Sequence, residues 1–361
     1  MKITFLAGGS SIHTVRWVNA MSVRGHDVSL ITIHKEGLNN FNKKVQIYTL
    51  PIKNNLGYYL NHPIAKRIVN KIKPDIINTH YASGYGTLSR LINYKPTLLS
   101  VWGSDVYDFP YQSRMKKNIL TKNLKSATEI ASTSHAMKEQ TEKFINNKTI
   151  HVTPFGINLN KFKPFNKKDN SQTINIGIIK TLTKKYGIKY LIKAVRILLN
   201  KLDSENRFSL KEKIRLTIVG DGEEKEYLIN LTKKLEIDDI TDFVGRIPYN
   251  QVSEYLNSFD IFCVPSLQES FGVAAVEASA CGLPVIASNV GGLPEVIEDG
   301  VTGYIIPPKD AEKLSDKLYD LVIDKEKRKC LGERGYDRVK RLYDWNKNVD
   351  KMEEIYRSLV K

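Results

Sequence analysis

Short runs of β-branched and apolar residues recur along the chain, each separated from the next by an amphipathic stretch. In the first half they are Ile3–Ala7, Asp27–Thr32, Asp75–Thr79, Thr97–Val101 and Glu129–Thr133, with helical periodicity over His13–Arg24 and Pro63–Lys73. The second half repeats the rhythm with Ile174–Ile179, Ile214–Val219, Ile261–Val264, Pro284–Ala287 and Gly303–Ile306. Strands that alternate with helices are joined by right-handed crossovers into a parallel sheet, and the rhythm here predicts two such sheets. A chain of 361 residues has room for two domains. The junction falls near Thr153-Pro154-Phe155-Gly156 and runs through the Lys- and Asn-rich stretch 160–172. The expected fold class is therefore α/β, with two Rossmann-like domains facing each other across a cleft. Residues 1–155 form the first domain, 156–340 the second, and a closing segment spans 341–361. Ligands of such sheets bind in the loops at the carboxyl ends of the strands.

Several functions are disfavoured by what the sequence lacks. No apolar run approaches the roughly 20 residues of a transmembrane helix, and Met1–Gly9 reads as a first strand ending in a Gly turn rather than as a signal peptide. Cys263, Cys281 and Cys330 have no metal spacing and fit small buried hydrophobes in a reducing cytoplasm. No Gly-x-Gly-x-x-Gly follows a strand, which argues against a dinucleotide cofactor. No Asp-x-Asp is present to bridge a divalent cation to a diphosphate, so no metal is expected.

Charge is unevenly placed. The net charge is +16, yet residues 1–150 carry 21 Lys and Arg against 8 Asp and Glu, a balance of +13. Such asymmetry suits an anionic partner, and an anionic membrane surface explains it without the recognition motifs that nucleic acid would require. The densest piece is Arg114–Lys125, where Met115, Ile119 and Leu120 are expected to share one helical face among the cations, as in a helix lying on a bilayer.

The most chemically specific stretch is Glu269-Ser270-Phe271-Gly272-Val273-Ala274-Ala275-Val276-Glu277. The apolar run after Gly272 predicts a buried helix with Glu269 at its N-terminal mouth and Glu277 about two turns in. A helix N-terminus suits a phosphate, and a carboxylate beside it suits a sugar diol. The combination points to a nucleotide-sugar site. A glycoside hydrolase also needs two carboxylates, but eight helical residues would hold this pair about 12 Å apart along the axis, beyond the roughly 5–9.5 Å that chemistry requires.

Further motifs follow the same order: Thr153-Pro154-Phe155-Gly156-Ile157-Asn158, Ile218-Val219-Gly220-Asp221-Gly222, Phe243-Val244-Gly245-Arg246-Ile247, Gly282-Leu283-Pro284-Val285, Gly291-Gly292-Leu293-Pro294-Glu295 and Gly300-Val301-Thr302-Gly303. With Gly8-Gly9, Arg24-Gly25-His26-Asp27-Val28, Asn78-Thr79-His80 and Trp102-Gly103-Ser104-Asp105 in the first half, the chain resembles the retaining GT-B glycosyltransferases of family 4, the group 1 glycosyltransferases. The resemblance covers almost the whole chain and implies that the last helix, from about Trp345, returns to the first domain.

That resemblance implies roles. Glu277 would accept from the nucleotide ribose, and Glu269 would lie beside the transferred sugar. Backbone amides around Phe271, Gly272 and Val273 would hold sugar and phosphate oxygens, and Arg246-Ile247 would read the base. Gly8 and Gly9 would approach the donor. Lys180 and Lys185 stand where the family supplies an Arg and a Lys for the diphosphate; a Lys at the first position keeps the charge and loses the bidentate fork. Trp102 stands where many relatives carry a His facing the sugar, so that role does not transfer. Asp105, His80 and His13 are the remaining candidates for the sugar or acceptor side.

The implied reaction is transfer of a hexose or N-acetylhexosamine from a nucleoside diphosphate sugar, UDP before GDP, to an acceptor hydroxyl. The expected acceptor is a polyprenyl-linked or other glycan in bacterial surface polysaccharide synthesis, such as capsule or lipopolysaccharide. The expected location is the inner face of the cell membrane, as a peripheral protein. Two other classes stay open at this stage. One is a non-catalytic nucleotide-sugar binder. The other is an epimerase or phosphorylase on the same fold, for which no extra acid/base pair or pyridoxal-bearing Lys is evident.

Overall fold

A computed structural model describes residues 1–165 and 173–360. The later part of the expected junction, 166–172, lies outside the described residues. The chain forms two compact units, Met1–Phe155 with Asn346–Lys361, and Gly156–Trp345.

The first unit is built on seven parallel strands: β1 Lys2–Leu6, β2 Asp27–Thr32, β3 Gln46–Thr49, β4 Ile76–His80, β5 Thr97–Val101, β6 Glu129–Ser132 and β7 Ile150–Val152, in the order β3-β2-β1-β4-β5-β6-β7. β4 and β5 are buried along their whole length, as the centre of a parallel sheet must be. The sequence reading names neither edge strand. β3 is at most half-buried and β7 has three residues, so neither carries a strong hydrophobic period. The helix Trp345–Val360 buries Val349, Met352, Ile355 and Tyr356. Its Tyr356 hydroxyl accepts from Asn78 Nδ2 in β4, and its Asp350 and Glu353 pair with Arg24.

The second unit has six parallel strands: β8 Ile174–Ile179, β9 Ile214–Val219, β10 Thr241–Gly245, β11 Ile261–Val264, β12 Val285–Ser288 and β13 Gly303–Ile306, in the order β10-β9-β8-β11-β12-β13. Helix Ile188–Ser204 presents Ile188, Leu191, Ile192, Val195, Leu198, Leu199 and Leu202 at three- and four-residue spacing to the core beneath it. Each sheet has one point where strand order reverses, between β1 and β4 in the first unit and between β8 and β11 in the second. The crevice outside the carboxyl ends there is where such sheets bind ligands.

Two expectations need correction. Helix Arg114–Ser126 does not present Met115, Ile119 and Leu120 on one outward stripe: Leu120 and Leu124 are core residues, Ile119 is half-buried, and Met115 is exposed. A crossover helix spends its apolar face on its own sheet before any other surface. Cys263 and Cys281 are buried, but Cys330 is exposed. Among the described residues no helix is long and apolar enough to cross a membrane.

Candidate active site

In the second unit the reversal point lies between the loops that leave β8 and β11, and those loops are stitched together. Leu267 N donates to Lys185 O at 2.7 Å, and Lys180 Nζ donates to Glu269 Oε2 at 2.6 Å. The ion pair is mostly enclosed, with 13% and 10% of the two side chains exposed. Burial works to lower the Lys180 ammonium, but Glu269, Tyr186 and Glu277 together hold it above the ordinary lysine range. Its Nζ also lies 4.4 Å from the centre of the Tyr186 ring. Lys185 is exposed, with Nζ 5.0 Å from the same ring.

Gly272 sets the start of the next helix. With φ at 103° it cannot be a helical residue, and Val273–Ala280 begins immediately after it. Glu277 is therefore one turn into the helix, about 6 Å along the axis, rather than two turns. The segment from Glu269 to Gly272 is not helical, so the 12 Å separation inferred from helical spacing does not hold. Instead, one cation, Lys180, is tied to Glu269 and feels Glu277 as well. Glu277 is 7% exposed, inside the first turn and a half of a helix whose leading amides have no intrahelical acceptors. Phe271 is buried with its ring 5.4 Å from Tyr343.

The turn Gly291-Gly292 backs this segment. A Cβ on Gly291 would stand 1.5 Å from Glu269 O, and one on Gly292 would stand 2.8 Å from Phe271 Cα. Only glycine fits where two backbones press this closely. The neighbouring loops continue the row along the carboxyl edge. Lys180 N donates to Val219 O, Leu182 N to Asp221 O, and Gly220 N to Gly245 O. Arg246 and Ile247 follow directly, exposed and half-buried respectively, at the β10 end of the row.

The first unit's reversal point gathers Gly8, Gly9, His13 and His80. Gly9 packs against the turn at Gly37, whose own Cβ would meet Gly9 O at 2.8 Å. His13 lies in the first turn of helix Ile12–Val23, its ring stacked on Phe155 at 3.8 Å. His80 ends β4, with Nδ1 3.1 Å from Thr14 Oγ1. Trp102 fills the space between them, 7% exposed, with its ring 4.1 Å from His80, 6.0 Å from His13 and 5.3 Å from Phe155. Burial drives both imidazoles down to a pKa of about 3, with Arg16 adding to the effect on His13 and His13 to that on His80. Groups so weakly basic are poor proton acceptors at neutral pH. Asp105 is buried and holds the backbone: Oδ1 accepts from Trp102 N and Gly103 N, and Oδ2 from Ala82 N. Burial nonetheless pushes its carboxyl above the usual range.

Three features of these sites escape the sequence reading. Tyr186 and the backing role of Gly291-Gly292 emerge only when separate loops meet. Tyr81 adopts φ of 69° beside His80 with no signal in its residue type. Among the described residues no three His, Cys, Asp or Glu side chains cluster in a way that could hold a metal ion.

Residues 160–338 match the family described as glycosyl transferases group 1, and residues 2–134 match the glycosyl transferase 4-like family. Similar sequences include the N-acetyl-alpha-D-glucosaminyl L-malate synthase of Bacillus anthracis, 25% identical over 98% of this chain and 95% of that protein. Among solved structures, the sucrose-phosphate synthase of Thermosynechococcus elongatus superposes with a TM-score of 0.83 at 20% identity, covering 99% of both chains. The Anabaena HepE structure in complex with UDP and glucose superposes with a TM-score of 0.79 at 18% identity, covering 99% of this chain and 100% of that one. These structures establish a shared GT-B-type fold of two α/β domains. With both parts of the chain matched, the protein belongs to the group 1 glycosyltransferases.

Proposed function

We propose that the chain transfers a hexose or N-acetylhexosamine from a nucleoside diphosphate sugar, UDP before GDP, to a hydroxyl of a lipid-linked glycan, with retention at the anomeric carbon and without a metal. The observation that carries this reading is the enclosed Lys180–Glu269 pair beside the N-terminal mouth of helix Val273–Ala280, at the sheet's reversal point. The UDP in the HepE structure and the sugar in the B. anthracis enzyme's name support the donor class.

In this reading Glu277 takes the ribose hydroxyls, Glu269 the sugar hydroxyls, and Arg246-Ile247 the base. The diphosphate lies against Lys180, Lys185 and the amides of Phe271, Gly272 and Val273. As the bond from the anomeric carbon to the phosphate oxygen breaks, the acceptor oxygen bonds to that carbon. The acceptor proton passes to the departing phosphate oxygen, and the nucleoside diphosphate leaves. Such a route needs no protein base, in keeping with the weak basicity of His13 and His80. The first unit's reversal point, with Gly8, Gly9, His13, His80, Trp102 and Asp105, is the sugar and acceptor side. The protein works as a peripheral protein at the inner face of a bacterial cell membrane, in surface polysaccharide synthesis.

Thermal denaturation against UDP-, GDP-, ADP- and TDP-sugars tests the donor. A ligand at about 100 times its Kd adds roughly 2.7 kcal/mol. A shift with a UDP-sugar that Glu277→Gln removes, in a variant with unchanged unliganded Tm, is expected. No shift with any nucleotide sugar overturns the proposal.

A further inference from the structure

Tyr186 has no part in the proposed reaction, yet both cations assigned to the diphosphate meet at its ring. The ring centre lies 4.4 Å from Lys180 Nζ and 5.0 Å from Lys185 Nζ. Two ammonium groups gathered at one place repel each other, and the electron-rich face of an aromatic ring offsets part of that repulsion. Lys180 also has the Glu269 carboxylate at 2.6 Å, whereas Lys185 is exposed.

The backbone fixes the ring from both sides. The turn Lys184–Tyr186 closes with Tyr186 N donating to Thr183 O and Gly187 N to Lys184 O. Before the ring, Lys185 O accepts from Leu267 N at 2.7 Å, in the loop that leaves β11. After it, Gly187 has φ of 64°, and a Cβ there would stand 2.1 Å from Pro265 O. Tyr186 thus sits between two contacts with the loop that runs on to Glu269, and its half-buried side chain packs on the core of the second unit. A lysine ammonium, by contrast, is a point charge on a flexible stem, and ordering it costs rotamer freedom. Where lysine stands in place of arginine, as at Lys180, the lost fork leaves that charge without a fixed direction. A rigid ring supplies one. It attracts each charge from one side and leaves N–H donors on the other side for phosphate oxygens.

We propose that Tyr186 is a positioning residue for the donor's diphosphate: its ring gathers the ammonium groups of Lys180 and Lys185, so that two flexible cations meet the two phosphates as one unit. The inference rests on the reading that these lysines hold the diphosphate. It adds the group that orders them, and it makes the preference for two phosphates over one depend on an aromatic ring that touches neither phosphate.

Calorimetric titration of the full chain with UDP and UMP, and with GDP and GMP, tests the role. Tyr186→Leu keeps an apolar side chain against the core and removes the ring. It should weaken binding of the favoured nucleoside diphosphate about tenfold, and binding of the matching monophosphate by about threefold or less. Tyr186→Met, with an apolar body of similar length, should behave as Tyr186→Leu does. Tyr186→Phe retains the ring and should restore most of the wild-type affinity. In Lys180→Met and in Lys185→Met the same Leu change should cost less than in wild type, because the ring then has one cation to place rather than two. A Leu variant with wild-type affinity for the diphosphate overturns the inference. So does one that weakens diphosphate and monophosphate equally in every background, the mark of a displaced loop. A Phe variant as weak as the Leu variant overturns it too, since the hydroxyl and not the ring would then be the working group. Wild type that binds a nucleoside diphosphate while these arms fail leaves the transferase reading standing; wild type that binds none overturns that reading and this inference with it.

Discussion

Lys180 meets three groups at once: Glu269 by a 2.6 Å contact, the Tyr186 ring at 4.4 Å, and the charge of Glu277. In the proposed reaction the leaving diphosphate draws on this cation, whose charge Glu269 and Glu277 also feel. Lys180→Met should therefore lower kcat/KM by about 10²–10³-fold, the loss seen when one transition-state donor is removed. Lys180→Arg should restore most of it, because the charge returns with added donors. Steady-state kinetics with the donor identified by thermal shift measures both, and a Met variant within threefold of wild type would remove Lys180 from the chemistry. His13 and His80 give a second residue-level prediction. Their folded pKa of about 3 lies below the usual 6.5, so below about pH 6.5 the unfolded chain binds protons that the folded chain does not. Stability should fall as pH drops through that point, by up to about 1.4 kcal/mol per pH unit for each histidine. The variant His80→Asn, compared with wild type by urea denaturation at pH 7 and pH 5, should show a smaller difference between the two; an unchanged difference would mean His80 is protonated in the fold.

At the scale of elements, the turn Gly291-Gly292 aligns the Glu269–Gly272 segment by leaving no room for error. Gly291 has φ of 52°, and an added Cβ would overlap Glu269 O. Gly291→Ala should cost about 2 kcal/mol or more and weaken the donor-induced thermal shift more than tenfold in affinity. A variant with wild-type donor affinity would show that the turn only carries the chain. This contact also marks the limit of what the sequence reveals. Most strands were legible, since a buried parallel strand is a run of Ile, Val and Leu bounded by polar residues, and β2, β5, β8, β9, β11 and β13 have the boundaries read from such runs. β3 and β7, partly exposed at an edge, carry too little apolar signal. The motifs of the site were legible as residue types. Their meeting was not: Lys180 and Glu269 are 89 positions apart, and only the pairing of β8 with β11 brings their loops together. Apolar spacing does not register the left-handed backbone of Gly272, which sets where the helix starts. For Arg114–Ser126, helical periodicity shows that a face exists and not what covers it.

At the scale of the whole molecule, the chain leaves the first unit at Phe155 and re-enters it at Asn346, so each unit has its own core, yet the first is completed only by Asn346–Lys361. The polar centre of that unit depends on this return. Asn78 in β4 accepts from Ser100 Oγ and donates to Tyr356 OH, all of them buried. Tyr356→Phe removes the acceptor and leaves a buried amide donor unpaired, which costs about 1–3 kcal/mol. Gly291→Ala acts in the other unit. If each unit unfolds as its own cooperative block, two-state behaviour fails for the chain as a whole. Calorimetry should then resolve two transitions, the Tyr356→Phe change lowering one, the Gly291→Ala change lowering the other, and a UDP-sugar raising the one that Gly291→Ala lowers. The double variant should show the sum of the single shifts, because the sites share no partner. A single transition lowered alike by both changes would mean that the units unfold together. The donor site's stability would then be set in part by Tyr356, far away in sequence.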